Sequence, residues 1–236
     1  MDSTEVLRQW AERSGEYSPS YYAYYGPNEA SERVRDLLDA VVGRDASVLE
    51  LGCSSGRHLS HLHEHGYEDL HGIDVNDEAF RVMEETAPDL AASVSFHADA
   101  IENVVADFDD DQFDAVFSVE TLQHVHPDNE WVFEELPRIA GDLVVTVEHE
   151  GKGKGGNEES EGEGEESEGQ RGETGGNDER DDGGRGQDEP DVNYVNDEFP
   201  LYYRNWRRIF TDLGLVEVES EPVGQDTLRA FRPPRD

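Results

Sequence analysis

Residues 48–57 read VLELGCSSGR, an apolar strand pattern that leads into a loop of small residues. Val48, Leu49 and Leu51 indicate a buried strand, and helical spacing begins after the loop with Leu59 and Leu62. Small residues at 52, 54 and 56 let a ligand approach the backbone, and the amides there can hydrogen-bond to it. This stretch therefore predicts a strand–loop–helix unit whose loop binds a ligand.

Strand and helix patterns alternate on both sides of this unit. The predicted strands are 47–51, 70–75, 94–96, 113–119 and 143–147, and helical spacing separates them. Near the end, Tyr202, Trp206, Ile209 and Leu213 share one helical face, and 215–218 and 227–231 are two short strands. Strands separated by helices indicate parallel βαβ units. We therefore expect an α/β fold: a doubly wound, mostly parallel seven-stranded sheet with helices on both faces and an antiparallel final strand at or near an edge.

Residues 150–191 differ in composition from the rest of the chain. They contain no aliphatic, aromatic, Met, Ala or Cys residue, so they cannot bury enough apolar surface to offset chain entropy. We expect a disordered insert, which serves either as an interaction tail or lid or, more simply, as a tolerated loop expansion. The flanking regions are then a helical or lid segment at 1–46, a ligand-binding core at 47–149, and a helix with a strand pair at 192–236.

The charge is strongly negative, with 57 acidic against 19 basic residues and a net charge of −38. The insert contributes 16 acidic and 5 basic residues, so its −11 leaves −27 for the remainder. Such charge destabilises a compact fold in dilute buffer and is screened in molar salt. We interpret the composition as adaptation to a salt-rich cytoplasm.

No signal-peptide pattern or membrane-spanning run is present in the sequence. Cys53 is the only cysteine, which excludes an intrachain disulfide and a multi-cysteine zinc site.

The loop distinguishes between two classes of nucleotide ligand. A dinucleotide loop, G-x-G-x-x-G counted from Gly52, requires glycine where the chain has Ser54 and Arg57. Instead, Glu50, Gly52 and Gly56 resemble the first motif of the class I S-adenosylmethionine-dependent methyltransferases, roughly E/D-x-G-x-G-x-G, with Ser54 in place of the middle glycine. The resemblance implies a Rossmann-like fold with S-adenosylmethionine as cofactor.

Further positions match the family at successive strand ends. The resemblance implies that Asp74 binds both ribose hydroxyls, that Asp99 accepts from the adenine amino group, and that the strand ending near Ser118 faces the methionine portion. Contacts to the cofactor are also expected from four neighbouring residues, namely Cys53, Ser54, Val75 and Ala100. Three acids in register with three strand ends favour this assignment over isolated surface charges.

The acceptor site should lie beyond the carboxyl ends of the strands. His124, after the fourth strand, is either a general base or a packing residue, whereas His124 with His126 as a metal pair is disfavoured. Four tyrosines before the first predicted helix form either a lid or packing against the sheet: Tyr21, Tyr22, Tyr24 and Tyr25. A helical face with His58, His61 and His65 is interpreted as solvated.

Three functions remain open at this point. The first is methyl transfer to a small molecule, because the chain has no additional recognition domain. The second is methylation of RNA or protein, which the absence of an arginine-rich stripe disfavours for RNA. The third is cofactor binding without catalysis. We expect a small-molecule acceptor, no metal, and neither a membrane nor a nucleic acid as partner.

Overall fold

The computed structural model describes residues 1–150, 190–195 and 199–234. Its strands are β1 (Val48–Leu51), β2 (Leu70–Asp74), β3 (Ser95–Ala98), β4 (Phe113–Val119), β5 (Ala140–Glu148), β6 (Asp191–Val195), β7 (Phe199–Tyr203), β8 (Val216–Val223) and β9 (Asp226–Arg232). Seven form one sheet in the order β3-β2-β1-β4-β5-β9-β8, and β6 pairs with β7 separately. The first five strands of the large sheet are mutually parallel, whereas β9 is antiparallel to both β5 and β8. The predicted fold class is confirmed, with the final strand β9 one position from the edge.

The helices are α1 (Ser3–Ala11), α2 (Pro19–Tyr25), α3 (Glu29–Val41), α4 (Arg57–Glu64), α5 (Glu78–Thr86), α6 (Pro88–Ala91), α7 (Ile101–Val104), α8 (Val132–Ile139) and α9 (Trp206–Asp212). The start of α3 is fixed by its sequence, because Asn28 and Ser31 form a reciprocal capping box. Predicted helix positions after β1, β2, β3 and β4 agree with α4, α5, α7 and α8. None of the helices in the described ranges is long and apolar enough to cross a membrane.

Apolar clusters on opposite faces of the sheet form the core. Val48 packs with one cluster, whereas Leu49 and Leu51 pack with the other, as the alternation of side chains along a strand requires. Helices α3 and α4 cover the first face, and α8 and α9 cover the second. Glu50 therefore shares the face of Val48, where it is enclosed.

Tyr202 lies in β7 and not in the helix with Trp206, because residues 199–203 pair with β6 in an extended conformation. Most of the predicted disordered insert, 151–189, lies outside the described residues. The amphipathic helix α1, with Asp2 as its N-cap, was not predicted within the 1–46 segment.

Candidate active site

A cavity opens at the carboxyl ends of β1, β2 and β4, where the loops after these strands meet the N-terminal helices. Its position agrees with the expectation for a ligand site in an open α/β sheet. The lining from the strand ends comprises Gly52, Cys53, Ser54, Asp74, Val75, Asn76, Val119, Glu120 and Thr121. The lining from α1, α2 and the residues between them comprises Val6, Leu7, Trp10, Arg13, Tyr17, Pro19 and Tyr22. Arg57, His58, Ala100, Ile101, Glu102, His124 and Val125 complete it.

The loop after β1 requires its glycines. Gly52 has φ +69°, and a Cβ at this position would lie 2.2 Å from Oγ1 of Thr121. Gly56 has φ +78°, and its Cβ would lie 2.8 Å from Cε of Met83. Ser54, which replaces the middle glycine of the family motif, also adopts a left-handed conformation, with φ +48°. The serine is thus tolerated at a modest conformational cost of roughly 1 kcal/mol.

The loop amides are bonded within the protein, contrary to the expectation that they bind the ligand. The N–H groups of Gly52 and Cys53 both donate to the Ile73 carbonyl, at 2.9 and 3.0 Å. The N–H of Ser54 donates to Asp74 at 2.8 Å. These bonds hold the loop against the end of β2, so side chains and Cα atoms form this wall of the cavity.

Asp74 joins two loops at the cavity wall. Its Oδ2 accepts from the Ser54 amide and its Oδ1 accepts from the Asn76 amide, each at 2.8 Å. Burial raises the pKa of Asp74 to about 6, although both amide hydrogen bonds favour the charged form. Each carboxylate oxygen keeps a further lone pair, so the group can still accept from two ligand hydroxyls.

Glu50 lies beneath the loop and does not line the cavity. It is 1% exposed, and its Oε2 has no hydrogen-bond partner among the described residues. Burial raises the pKa of Glu50 well above its ordinary value, and the charge of Arg57 opposes this shift. A buried acceptor without a partner is costly, so Glu50 is available to a donor that arrives with a ligand.

Ser118 faces a buried carboxylate and not the cavity. Its Oγ donates to Oε1 of Glu148 at 2.5 Å, and the amides of Thr121, Leu122 and Gln123 donate to the same carboxylate at 3.0–3.2 Å. Burial raises the pKa of Glu148 to about 7. Glu148 therefore fixes the turn after β4, which carries His124.

His124 lies at the cavity wall with one nitrogen engaged. Its Nδ1 donates to the carbonyl of Pro200 in β7 at 3.0 Å, and its ring lies 4.7 Å from the ring of Trp10. Burial lowers the pKa of His124 to about 4, so the ring is neutral at pH 7. Because a carbonyl only accepts, the proton is on Nδ1 and Nε2 carries the lone pair. His126, by contrast, contacts the carbonyl of Met1.

The structure brings part of the predicted cofactor set together. Six of the predicted residues line the cavity: Gly52, Cys53, Ser54, Asp74, Val75 and Ala100. Four do not line it: Glu50, Gly56, Asp99 and Ser118. Asp99 is exposed beside it, and its Oδ1 accepts from the Ala100 amide and from Asn103, both at 2.7 Å.

Aromatic and histidine residues depart from the sequence-based interpretation. Of the four predicted tyrosines, Tyr22 lines the cavity, whereas Tyr24 and Tyr25 are 84% and 62% exposed. The interpretation of the α4 histidines as a solvated face is wrong: His58 and His61 are each 5% exposed, because α4 packs them towards α3. Trp10 and Tyr17 were missed, and the apolar spacing of Val6, Leu7 and Trp10 was the available signal.

Comparisons with known proteins agree with this geometry. Residues 48–141 match the family model described as "Methyltransferase domain". No curated protein matches the chain.

Solved structures share the fold at low sequence identity. The 1,6-didemethyltoxoflavin-N1-methyltransferase of Burkholderia thailandensis is 13% identical, with a TM-score of 0.62 over 99% of this chain and 87% of that one. The magnesium protoporphyrin IX methyltransferase of Synechocystis PCC 6803 is 12% identical, with a TM-score of 0.57 over 98% and 91%. A complex of DhpI with S-adenosylhomocysteine is 18% identical, with a TM-score of 0.58 over 98% and 97%. Residues 48–141 therefore match a methyltransferase domain, and the sheet has the Rossmann-like fold of these solved methyltransferases.

Proposed function

We propose that this chain transfers a methyl group from S-adenosylmethionine to a small-molecule acceptor. The observation that carries the proposal is the carboxylate of Asp74, which lies in the cavity wall beside a glycine-dependent loop within the methyltransferase domain. The 1,6-didemethyltoxoflavin-N1-methyltransferase described above was solved with bound 1,6-didemethyltoxoflavin and S-adenosylhomocysteine.

The donor end of the cavity is assigned to the loops after β1, β2 and β3. Asp74 accepts from the ribose hydroxyls, and Val75 and Ala100 flank the adenine. Asp99 accepts from the adenine amino group through Oδ2, because both of its described hydrogen bonds end on Oδ1. Glu50, whose Oε2 has no described partner, lies outside the cavity lining and accepts from the donor's ammonium group only if the loop after β1 moves.

The acceptor end is assigned to the wall formed by α1 and the residues up to Tyr22. Trp10, Tyr17 and Tyr22 present aromatic surface, and Val6 and Val125 add aliphatic surface. Apolar, partly aromatic walls with few polar groups are typical of sites for small organic ligands. A flat, partly apolar acceptor therefore fits this end better than a polynucleotide or an extended peptide.

The bound donor supplies an activated methyl group on its sulfonium, so the protein has to align the nucleophile and exclude water. Helix α1 and Tyr22 line the cavity, and we assign them to restricting water. His124 presents a neutral ring whose Nε2 can accept a hydrogen bond from the acceptor. A base with a pKa of about 4 removes protons poorly at pH 7, so we assign His124 to orienting the acceptor.

The acidic surface is assigned to salt adaptation. A net charge of −38 repels itself across the fold, and this repulsion is screened where the Debye length falls to about 3 Å. We therefore expect the folded, active protein at molar salt.

Transfer of label tests the proposed function. Purified protein is incubated in molar KCl with methyl-labelled S-adenosylmethionine and the small-molecule fraction of a cell extract, with RNA and protein fractions in parallel. We expect label in the small-molecule fraction. Label confined to RNA or protein would contradict the acceptor class, and no label in any fraction would contradict catalysis.

A further inference from the structure

Among the arginines that the structure describes, Arg57 is distinguished by the lack of an ion pair with a described residue. Arginines elsewhere in the described chain, among them Arg8, Arg35, Arg138 and Arg229, bind carboxylates. Arg57 forms no ion pair with any residue that the structure describes, although the chain contains 57 acidic residues. It is half-buried and lines the cavity immediately after the β1 loop. A guanidinium in this position is available to an anionic group of a ligand.

The guanidinium is held in place from two sides. Its Nε donates to Nε2 of His58 at 3.1 Å, and its CZ atom lies 4.9 Å from the centre of the Tyr22 ring. His58 is 5% exposed, and its Nδ1 lies 2.8 Å from Oγ of Ser31 in the α3 capping box. Because Nε2 of His58 accepts from Arg57, Nδ1 carries the proton and donates to Ser31. The ring is thus neutral, and burial lowers the pKa of His58 well below its ordinary value in agreement with this.

The terminal nitrogens of the Arg57 guanidinium have no hydrogen bond to a described residue. With Nε bound to His58, Nη1 and Nη2 of Arg57 form no hydrogen bond to a described residue and remain for a ligand. Two parallel N–H groups match the two oxygens of a carboxylate, and such bidentate pairs are among the strongest hydrogen bonds in proteins. Stacking on the Tyr22 ring orients the guanidinium plane without neutralising its charge.

Resting on the proposed function, we propose that Arg57 binds the α-carboxylate of the methionyl portion of S-adenosylmethionine and selects the donor over its decarboxylated form. The position supports the donor end, because Arg57 follows Gly56 directly and shares the cavity wall with Gly52 and Ser54. Glu50 lies close enough for its pKa to respond to the charge of Arg57. Arg57 is therefore the positive charge beside the β1 loop that the carboxylate of an amino acid requires, and Glu50 is a buried acceptor beneath that loop.

Binding of two donors that differ only in the carboxylate tests the inference. Full-length protein in molar KCl is titrated calorimetrically with S-adenosylmethionine and with decarboxylated S-adenosylmethionine, which keeps the sulfonium and the ammonium. We expect the parent to prefer the carboxylated donor by roughly 10- to 100-fold, the range for a charged hydrogen-bonded pair. Arg57→Met should lose this preference by weakening the carboxylated donor alone.

Arg44→Met provides the matched control, because this substitution removes the same charge as Arg57→Met. Arg44 is exposed and precedes β1, so it lies at the opposite end of the sheet from the cavity. We expect this variant to keep the parent's preference. A parent that binds both donors equally, or an Arg57→Met variant that weakens both equally, would overturn the assignment while leaving the proposed function intact. A folded parent that binds neither donor would overturn both.

Discussion

The backbone amide of Ser54 donates to Oδ2 of Asp74 at 2.8 Å, and this bond ties the loop after β1 to the end of β2. The same carboxylate that we propose binds the ribose thus also shapes the wall that we assign to the donor. Donor recognition and loop conformation are therefore coupled through Asp74.

Replacing Asp74 should weaken donor binding. Asp74→Ala removes the acceptor assigned to the ribose hydroxyls and frees the Ser54 amide, so we expect affinity for S-adenosylhomocysteine to fall roughly 10- to 100-fold. Calorimetry in molar KCl measures the change. Asp77→Ala, which removes an exposed acid three residues along, should bind like the parent. Unchanged affinity in Asp74→Ala would show that the ribose assignment is wrong.

Two glycine-to-alanine substitutions distinguish the stability cost of a steric clash from the stability cost of backbone strain. Gly52 and Gly43 have φ +69° and +83°, but only Gly52 has a neighbour within 4 Å of an added Cβ. Gly43→Ala should cost roughly 1–2 kcal/mol in free energy of unfolding from backbone strain alone. Gly52→Ala should cost more, because the methyl group meets Thr121, and should also abolish donor binding. Urea unfolding in molar KCl compares the two, and equal losses with retained donor binding would refute the steric account.

Glu148 should make stability depend on pH. Its pKa is about 7 in the folded protein against an ordinary value of 4.5, so its contribution is full below pH 4.5 and is lost as the pH rises through 7. The difference corresponds to about 3 kcal/mol. Glu148→Gln cannot ionise, so the stability of this variant relative to the parent should rise between pH 5 and pH 8.

Urea unfolding at both pH values and constant salt measures this difference, with Glu134→Gln on the exposed side of α8 as the control. A difference between Glu148→Gln and the parent that is the same at pH 5 and pH 8 would contradict the assignment of a raised pKa to this buried group.

His124 should remain neutral across the physiological range. Burial beside Trp10 lowers its pKa to about 4, so its ring signals in a carbon–proton NMR titration should not shift between pH 5.5 and pH 8. The spectrum of His124→Asn identifies the signal by its absence. A titration midpoint above pH 6 for His124 would contradict the lowered pKa and would support a general base at this position.

The central sheet was predictable because each of its parallel strands has its own local pattern. Val48–Leu51 and Phe113–Val119 are mostly apolar, interrupted only by Glu50, Asp114 and Ser118, as expected where both faces of a sheet are covered. The tight conformation of the loop after β1 was also predictable, because glycine is favoured where the backbone has a left-handed φ or packs closely against a neighbour.

The acceptor wall was less predictable. Helix α1 is only nine residues long, so its apolar spacing gives a short signal, and Tyr202 fits helical spacing although it lies in β7. The buried positions of His58 and Glu148 depend on packing between distant elements, which local patterns do not record. Ser118 illustrates the same limit, because its partner Glu148 is 30 residues away in the chain.

Equilibrium titration with S-adenosylhomocysteine in molar KCl tests the central claim most directly, because it requires no knowledge of the acceptor. The account predicts saturable binding with one site per chain in the parent and a clear loss of affinity in Asp74→Ala. Folded parent protein that gives no heat and no saturation would contradict the assignment of this cavity to an adenosyl donor.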